Sequence, residues 1–214
     1  MSQHRSAPCT KVLTDGPAHA NRTLLLAHGA GTGMESDFMR TIASGIAAKG
    51  IRVARFEFPY MIRAAETGVR RPPDREPVLR QCWEDLIRDY PADRLVIGGK
   101  SLGGRIASLL ADDLAVAGLV CLGYPFHPVG RPERLRTSHL QAIRVPTLIL
   151  QGERDRLGNK QEVATYPLSG LIQIHWLPDG DHDLVPRKRS GFSRRENWDE
   201  AVRITADFIH HLPH

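Results

Sequence analysis

Short apolar runs alternate along this chain with stretches in which apolar residues recur at helical spacing. A short apolar run bounded by turn residues is typical of a buried β-strand, whereas apolar positions on one side of a helical period indicate a helix packed on one face. The runs that predict strands are residues 23–27, 51–58, 95–97, 116–124, 146–150 and 171–177. Strands that alternate with helices favour an α/β fold, a mainly parallel sheet with helices on both faces.

Helix signals occupy most of the intervals between these runs. The predicted helices are residues 36–50, 77–90, 137–143 and 159–166, one helix that contains Ile106, and a final helix after Ser193. Two of them begin with a capping box, Asn159 with Glu162 and Ser193 with Glu196. Residues 61–76 have no sustained apolar period, so this segment is predicted to be a long loop with room for a broken helical turn, of the kind that is usually functional or mobile.

The first 21 residues carry several turn-forming residues and at most one weak strand, around residues 10–13. We therefore expect residues 1–21 to be a partly ordered lead-in with an edge strand, and residues 22–214 to form a single domain. A chain of 214 residues is long enough for one α/β core but too short for that core plus a typical cap domain.

Composition and charge narrow the class of protein. No apolar stretch is long enough to span a membrane, and the N-terminus lacks the apolar segment of a secretory signal, so we expect a cytoplasmic protein without a membrane partner. The formal net charge is only +5, and nucleic-acid binding is not expected. The three cysteines, Cys9, Cys82 and Cys121, are widely spaced and odd in number, which predicts reduced thiols rather than a disulfide framework or a zinc site.

A serine between glycines stands at the end of one predicted strand. Residues 99–103 read GKSLG, which matches the G-x-S-x-G motif of a nucleophile elbow, with a buried strand before it and a helix after it. In such an elbow the glycines are needed because a Cβ would collide with the strand or the helix. Ser101 is therefore the candidate nucleophile.

The other candidate residues also follow strands. Asp155 follows a late strand and His182 follows the last one, so the chain order is Ser, Asp, His, as in α/β hydrolases. His182 would act as general base and Asp155 would orient its ring. The glycine-rich loop from His28 to Gly33 leaves backbone N–H groups free, and the N–H groups of Ala30 and Leu102 are predicted to form an oxyanion hole.

Alternatives remain for several of these assignments. Glu153, Asp181 or Asp183 could replace Asp155, and His175 is a rival to His182, although it lies inside a strand. His28 is expected to support the oxyanion loop rather than to react. That loop lacks the G-x-G-x-x-G fingerprint and a following lysine, so it is not a nucleotide-phosphate loop, and we expect no cofactor and no metal.

The substrate pocket is predicted to be shallow and open because no lid can be built between the strand at 116–124 and the next helix. Its expected substrate-binding residues are Gly29, Tyr60, Phe126 and His127. Arginines in the loops that follow several strands are either solvated surface charges or a rim that favours anionic acyl or leaving groups. They are Arg63, Arg70, Arg71, Arg75, Arg131, Arg134, Arg136, Arg187 and Arg189, with Lys188 beside them.

Six motifs link the chain to a known group of proteins. They are residues 28–31 (HGAG), 55–60 (RFEFPY), 98–104 (GGKSLGG), 123–126 (GYPF), 151–155 (QGERD) and 179–182 (DGDH). Over residues 22–212 the chain resembles the bacterial branch of the α/β hydrolases related to the Tex30 and KANSL3 proteins, and more distantly the dienelactone hydrolases. The resemblance implies a Ser-Asp-His hydrolase core without a cap domain. Ser101 stands where dienelactone hydrolases use cysteine, so their particular substrate is not implied.

These observations predict a serine hydrolase that acts on a small-molecule carboxylic ester or thioester with a short acyl group, as a monomer or homodimer. Two other classes of function stay open. One is a non-catalytic protein-interaction module on a hydrolase fold, and the other is a peptidase or acyltransferase. The presence of all three triad residues argues against the interaction module.

Overall fold

The computed structural model describes residues 11–213, and the sheet within them is built from the predicted apolar runs. Its strands are β1 (Val12–Asp15), β2 (Thr23–Ala27), β3 (Arg52–Phe56), β4 (Leu95–Lys100), β5 (Gly118–Leu122), β6 (Thr147–Gly152) and β7 (Ile172–Leu177). They form a seven-stranded sheet in the order β1-β3-β2-β4-β5-β6-β7. Strands β2 to β7 are parallel to their neighbours, and β1 pairs antiparallel with β3 at the edge. The prediction of a mainly parallel sheet is confirmed.

Helices cover both faces of this sheet. They are α1 (Asp37–Ala47), α2 (Pro59–Thr67), α3 (Glu76–Ile87), α4 (Leu102–Ser108), α5 (Lys160–Val163) and α6 (Arg194–His210), with short 3-10 helices at Ala92–Arg94 and Ser138–Gln141. Residues of α1 and α6 pack on one face against Leu24 and Leu26, and residues of α3 and α4 pack on the other face against Leu25 and Ile97. The strands in the middle are therefore buried on both sides, which explains why they read as continuous apolar runs.

The predicted loop at residues 61–76 is wrong over its first part, because α2 occupies Pro59–Thr67. Pro59 ends the preceding strand and also starts this helix, since proline is favoured in the first turn, where its missing N–H would have no acceptor. Tyr60 is the one buried residue of α2. A helix with one buried position has no apolar stripe, so its period was absent from the sequence.

The two predicted capping boxes are present. The Asn159 side chain accepts hydrogen bonds from the N–H groups of Gln161 and Glu162, and the Ser193 hydroxyl accepts one from the N–H of Glu196. Each glutamate in turn accepts from the backbone of its capping residue. Helix α5 is shorter than predicted and ends at Val163 rather than near Tyr166.

The segment between β5 and β6 contains no domain of its own, so the expected core without a cap is confirmed. Its one regular element is the 3-10 helix at Ser138–Gln141. Within residues 11–213, no helix is both long and apolar enough to cross a bilayer.

The cysteines differ from the prediction at one described position. Cys121 is a free thiol buried in β5, and burial raises its pKa. Cys82 on α3 is disulfide-bonded, so the expectation of a reduced thiol is wrong there. Cys9 lies outside the described residues.

Candidate active site

Ser101 sits on the sharp turn between β4 and α4, as the motif predicts. Its backbone has φ 52° and ψ −112°, a conformation that residues with a side chain rarely adopt. Such a conformation costs on the order of 1–3 kcal/mol and persists only where the surrounding structure enforces it. The Ser101 N–H donates to the Leu122 carbonyl at 3.0 Å, which ties the turn to β5.

The two motif glycines let this turn pack tightly against β2. A Cβ on Gly99 would lie 2.6 Å from the carbonyl oxygen of Ala27, and a Cβ on Gly103 would lie 2.6 Å from that of His28. Both approaches are too close for any real side chain, and both involve backbone that cannot move aside without shifting β2. The G-x-S-x-G spacing is thus a packing requirement of this turn.

His182 connects Ser101 to Asp155 through two short hydrogen bonds. Its Nε2 lies 2.7 Å from the Ser101 Oγ, and its Nδ1 lies 2.7 Å from Oδ2 of Asp155. A carboxylate only accepts hydrogen bonds, so Nδ1 carries the ring proton and donates to Asp155. The unprotonated Nε2 is then the acceptor for the Ser101 hydroxyl.

Asp155 is fully buried and held by neighbours besides His182. Its Oδ2 also accepts from the Gln151 Nε2 at 2.8 Å, and its Oδ1 accepts from the Leu157 N–H at 2.9 Å. Sequence reasoning did not single out Gln151, although it lies near the end of β6, four residues before Asp155.

The alternative carboxylates have other partners. Glu153 pairs with Lys160, Asp181 accepts from the N–H groups of Asp183 and Val185, and Asp183 pairs with Lys100. The rival histidine, His175, lies on β7 and pairs with Glu200 at 3.3 Å. Within residues 11–213, the hydrogen-bonded chain therefore joins the three residues that chain order predicted.

A second serine and histidine, Ser108 and His139, also lie in contact, with Oγ and Nε2 2.8 Å apart. The Ser108 hydroxyl donates its single proton to the carbonyl of Arg105 at 2.7 Å, so it must accept from His139. A base that is itself the donor cannot take the proton of this serine. Ser108 is also only 4% exposed, and the pair is a structural contact between α4 and the 3-10 helix at Ser138–Gln141.

The two predicted oxyanion-hole residues lie on α4 and on the loop after β2. Leu102 is the first residue of α4, so its N–H has no acceptor within its own helix. Ala30 is exposed in the loop after β2, and its neighbour Gly29 lies so close to the turn that a Cβ there would be 3.6 Å from the Cβ of Ser101. His28 is buried beneath the loop, which agrees with a supporting role.

A cleft of about 300 Å³ opens beside Ser101. Its lining is glycine-rich backbone on one side, apolar side chains from α1 on another, and Ser101 with His182 at its end. The lining residues are Gly29, Ala30, Gly31, Thr32, Ser36, Phe38, Met39, Lys100, Ser101, His182 and Asp183.

The family follows from a comparison of the whole chain. A family model described as an α/β hydrolase domain matches residues 20–210. The chain belongs to the α/β hydrolases.

Solved structures of other α/β hydrolases share this fold at low identity. A serine hydrolase homologue from Coxiella burnetii is 18% identical, with 92% of this chain and 89% of that chain covered and a TM-score of 0.68. A serine hydrolase without a lid from Xanthomonas campestris is 17% identical over 95% and 89% of the two chains, with a TM-score of 0.66. A dienelactone hydrolase from Anabaena variabilis is 18% identical over 95% and 92%, also with a TM-score of 0.66. The likeness extends over nearly the whole of each chain.

Three residues predicted to bind substrate are not brought to the cleft of this α/β hydrolase. Tyr60 and Phe126 are completely buried, and His127 is 2% exposed, with its Nδ1 2.9 Å from the Pro128 carbonyl. Among the predicted substrate-binding residues, Gly29 lines the cleft. The expectation that the other three wall it is corrected by their burial, because aromatic rings at these positions fill the core beneath the sheet edge.

The lining of this cleft contains none of the loop arginines that were interpreted either as surface charges or as a rim. Arg63 pairs with Asp74, and Arg187 pairs with Asp179, so these charges are neutralised locally. The cation that does line the cleft is Lys100, the residue before Ser101, which sequence reasoning did not select. Its Nζ donates to the His182 carbonyl at 2.8 Å and lies 3.1 Å from Asp183, and burial lowers its pKa.

Metal-ligand side chains are not grouped in the described part of this α/β hydrolase: residues 11–213 hold no cluster of three or more His, Cys, Asp or Glu residues that could bind an ion.

Proposed function

We propose that this α/β hydrolase is a serine esterase that cleaves short-acyl carboxylic esters or thioesters, with Ser101 as nucleophile, His182 as general base and Asp155 as its orienting acid. The observation that supports the proposal is the continuous hydrogen-bonded chain from the Ser101 hydroxyl through His182 to the buried Asp155, with both bonds at 2.7 Å. The Tex30 and KANSL3 branch remains part of this proposal, on the motifs given above.

Acylation begins when the Ser101 Oγ attacks the carbonyl carbon of a substrate in the cleft. The hydroxyl proton passes to Nε2 of His182, and the imidazolium that forms is stabilised by Asp155. The carbonyl oxygen becomes an oxyanion, for which the N–H groups of Ala30 and Leu102 are the proposed donors. A donor in this position typically contributes about 3 kcal/mol to transition-state stabilisation.

Collapse of this intermediate breaks the bond to the leaving group. His182 returns its proton to the departing alkoxide or thiolate, which leaves an acyl group on Ser101. Water then repeats the sequence: it gives a proton to His182, its oxygen bonds to the acyl carbon, and the Ser101 oxygen leaves with the proton. The products are a carboxylic acid and an alcohol or thiol.

The direct test is labelling with a fluorophosphonate probe. We expect one adduct, located on Ser101 by mass spectrometry, because only a hydroxyl with a base and an oxyanion hole reacts at a useful rate. Ser101→Ala should abolish labelling, whereas the matched control Ser108→Ala should label normally. No adduct on folded wild-type protein, or an adduct on another residue, would refute the proposal.

Rates of hydrolysis of a model ester, measured on variants of the triad, test whether Asp155 is the carboxylate that orients His182. Ser101→Ala and His182→Ala should each lower kcat by roughly 10⁴-fold or more, and Asp155→Asn should lower kcat by a smaller factor. Asp181→Asn is the control for a carboxylate that does not touch His182. An Asp155→Asn enzyme with full activity would move the acid role elsewhere.

A further inference from the structure

The carbonyl oxygen of Gly29 accepts hydrogen bonds from two buried side chains. The Tyr60 hydroxyl donates to it at 3.0 Å, and Nδ1 of His28 lies 2.7 Å away. Both side chains are completely buried. A loop carbonyl would ordinarily be solvated, so two protein donors on one such oxygen define its orientation closely.

The tautomer of His28 is fixed by its other nitrogen. Nε2 has two neighbours, the backbone N–H of Phe58 at 3.0 Å and Oε2 of Glu57 at 3.3 Å. The Phe58 N–H is the nearer and donates to Nε2, and Nδ1 must donate to the Gly29 carbonyl, which only accepts, so Nδ1 carries the ring proton. Burial lowers the pKa of His28 to about 4, which is consistent with a neutral ring in this arrangement. Burial also raises the pKa of Tyr60, which keeps its hydroxyl a donor.

The carbonyl of Gly29 and the N–H of Ala30 belong to the same peptide group. A trans peptide is planar, and its C=O and N–H point in opposite directions. Two donors from the core hold the oxygen inward, so the Ala30 N–H is directed outward, on the side where Ala30 and Gly29 line the cleft beside Ser101.

We propose that Tyr60 and His28 are positioning residues that hold the Gly29–Ala30 peptide with its N–H directed at the oxyanion site. This inference rests on the proposed function, because it assigns the Ala30 N–H as an oxyanion donor. The inference also assigns a role to α2, because Tyr60 is the buried residue of this helix and its hydroxyl reaches the oxyanion loop.

Tyr60→Phe removes one of the two donors and leaves the ring in place. The Ala30 N–H matters most when the substrate carbonyl oxygen becomes negatively charged in the transition state, and less when the uncharged substrate binds. We therefore expect kcat for a short ester to fall about tenfold while KM stays the same. The control is Tyr124→Phe. Tyr124 is equally buried, and its hydroxyl donates to the carbonyl of Arg136 at 2.9 Å rather than to the oxyanion loop.

A spectroscopic measurement tests the same geometry without turnover. With selective ¹³C and ¹⁵N labelling, Tyr60→Phe should shift the Gly29 carbonyl and the Ala30 amide resonances, whereas Tyr124→Phe should shift the Arg136 carbonyl and leave those two unchanged. A Tyr60→Phe protein with an unchanged Gly29 carbonyl resonance, or with wild-type kcat, overturns the inference. A wild-type protein without esterase activity would refute the proposed function alone, and the resonances would then decide whether Tyr60 positions the peptide.

Discussion

His139 is a half-buried neutral group whose titration affects the stability of the protein. Burial and the positive charge of Arg105 lower its pKa to about 4, and the carboxylates of Glu76 and Asp112 only partly oppose this. The ring lies between Ser108 and Tyr124, with Nε2 2.8 Å and 3.4 Å from their hydroxyl oxygens. Because Nε2 already carries the proton that Ser108 accepts, protonation occurs at Nδ1 and places a positive charge in this half-buried contact near Arg105.

The sign of the pH effect follows from the two states. An unfolded histidine takes up a proton as the pH falls through 6.5, whereas folded His139 does so only near 4, so stability is full above 6.5 and is lost between 6.5 and about 4. For a partly exposed ring this amounts to roughly 1–2 kcal/mol after solvent screening. The free energy of unfolding, measured with urea at a series of pH values between 6.5 and 4, should fall less steeply with falling pH for His139→Gln than for wild type. The exposed His19→Gln is the control, and parallel curves for His139→Gln and wild type would contradict the prediction.

At the scale of elements, the sequence predicted those parts of the fold that depend on local patterns. Each predicted apolar run became a strand, and both capping boxes begin helices, because burial on a sheet and capping of a helix leave regular spacing in the chain. Helix α2 was missed because one buried tyrosine leaves no period. The order of Ser101, Asp155 and His182 could be interpreted because parallel strands end at the same sheet edge.

The remainder of the site depends on contacts between distant segments. Tyr60 was predicted to line the pocket, but its hydroxyl faces a loop that follows a different strand. The G-x-S-x-G motif specifies no residue type at Lys100, yet the Lys100 Nζ donates to the carbonyl of a residue 82 positions later in the chain. Such contacts depend on how the elements are placed in three dimensions, and no spacing in the sequence reports them.

At the scale of the whole molecule, the missing cap determines how much substrate is covered. The cleft of about 300 Å³ is at the lower end of the size of ligand pockets, and its apolar wall consists of Phe38 and Met39. Each acyl CH₂ contributes about 0.8 kcal/mol only if it leaves water. We therefore expect kcat/KM to peak at short acyl chains in a series of esters from acetate to dodecanoate, with no increase at a lipid interface. A steady rise to dodecanoate would indicate a covered channel.

The strained turn at Ser101 has a consequence for the thermal stability of the protein. Glycine adopts φ 52°, ψ −112° without a steric penalty. Ser101→Gly should therefore raise Tm by roughly 2–4 °C. The control Ser108→Gly lies in ordinary helical backbone and should lower Tm. Calorimetry on the two variants measures both shifts, and an unchanged or lower Tm for Ser101→Gly would contradict the argument. The serine hydroxyl is therefore held at a cost in stability, which is the pattern expected of a position kept for function rather than for packing of the turn.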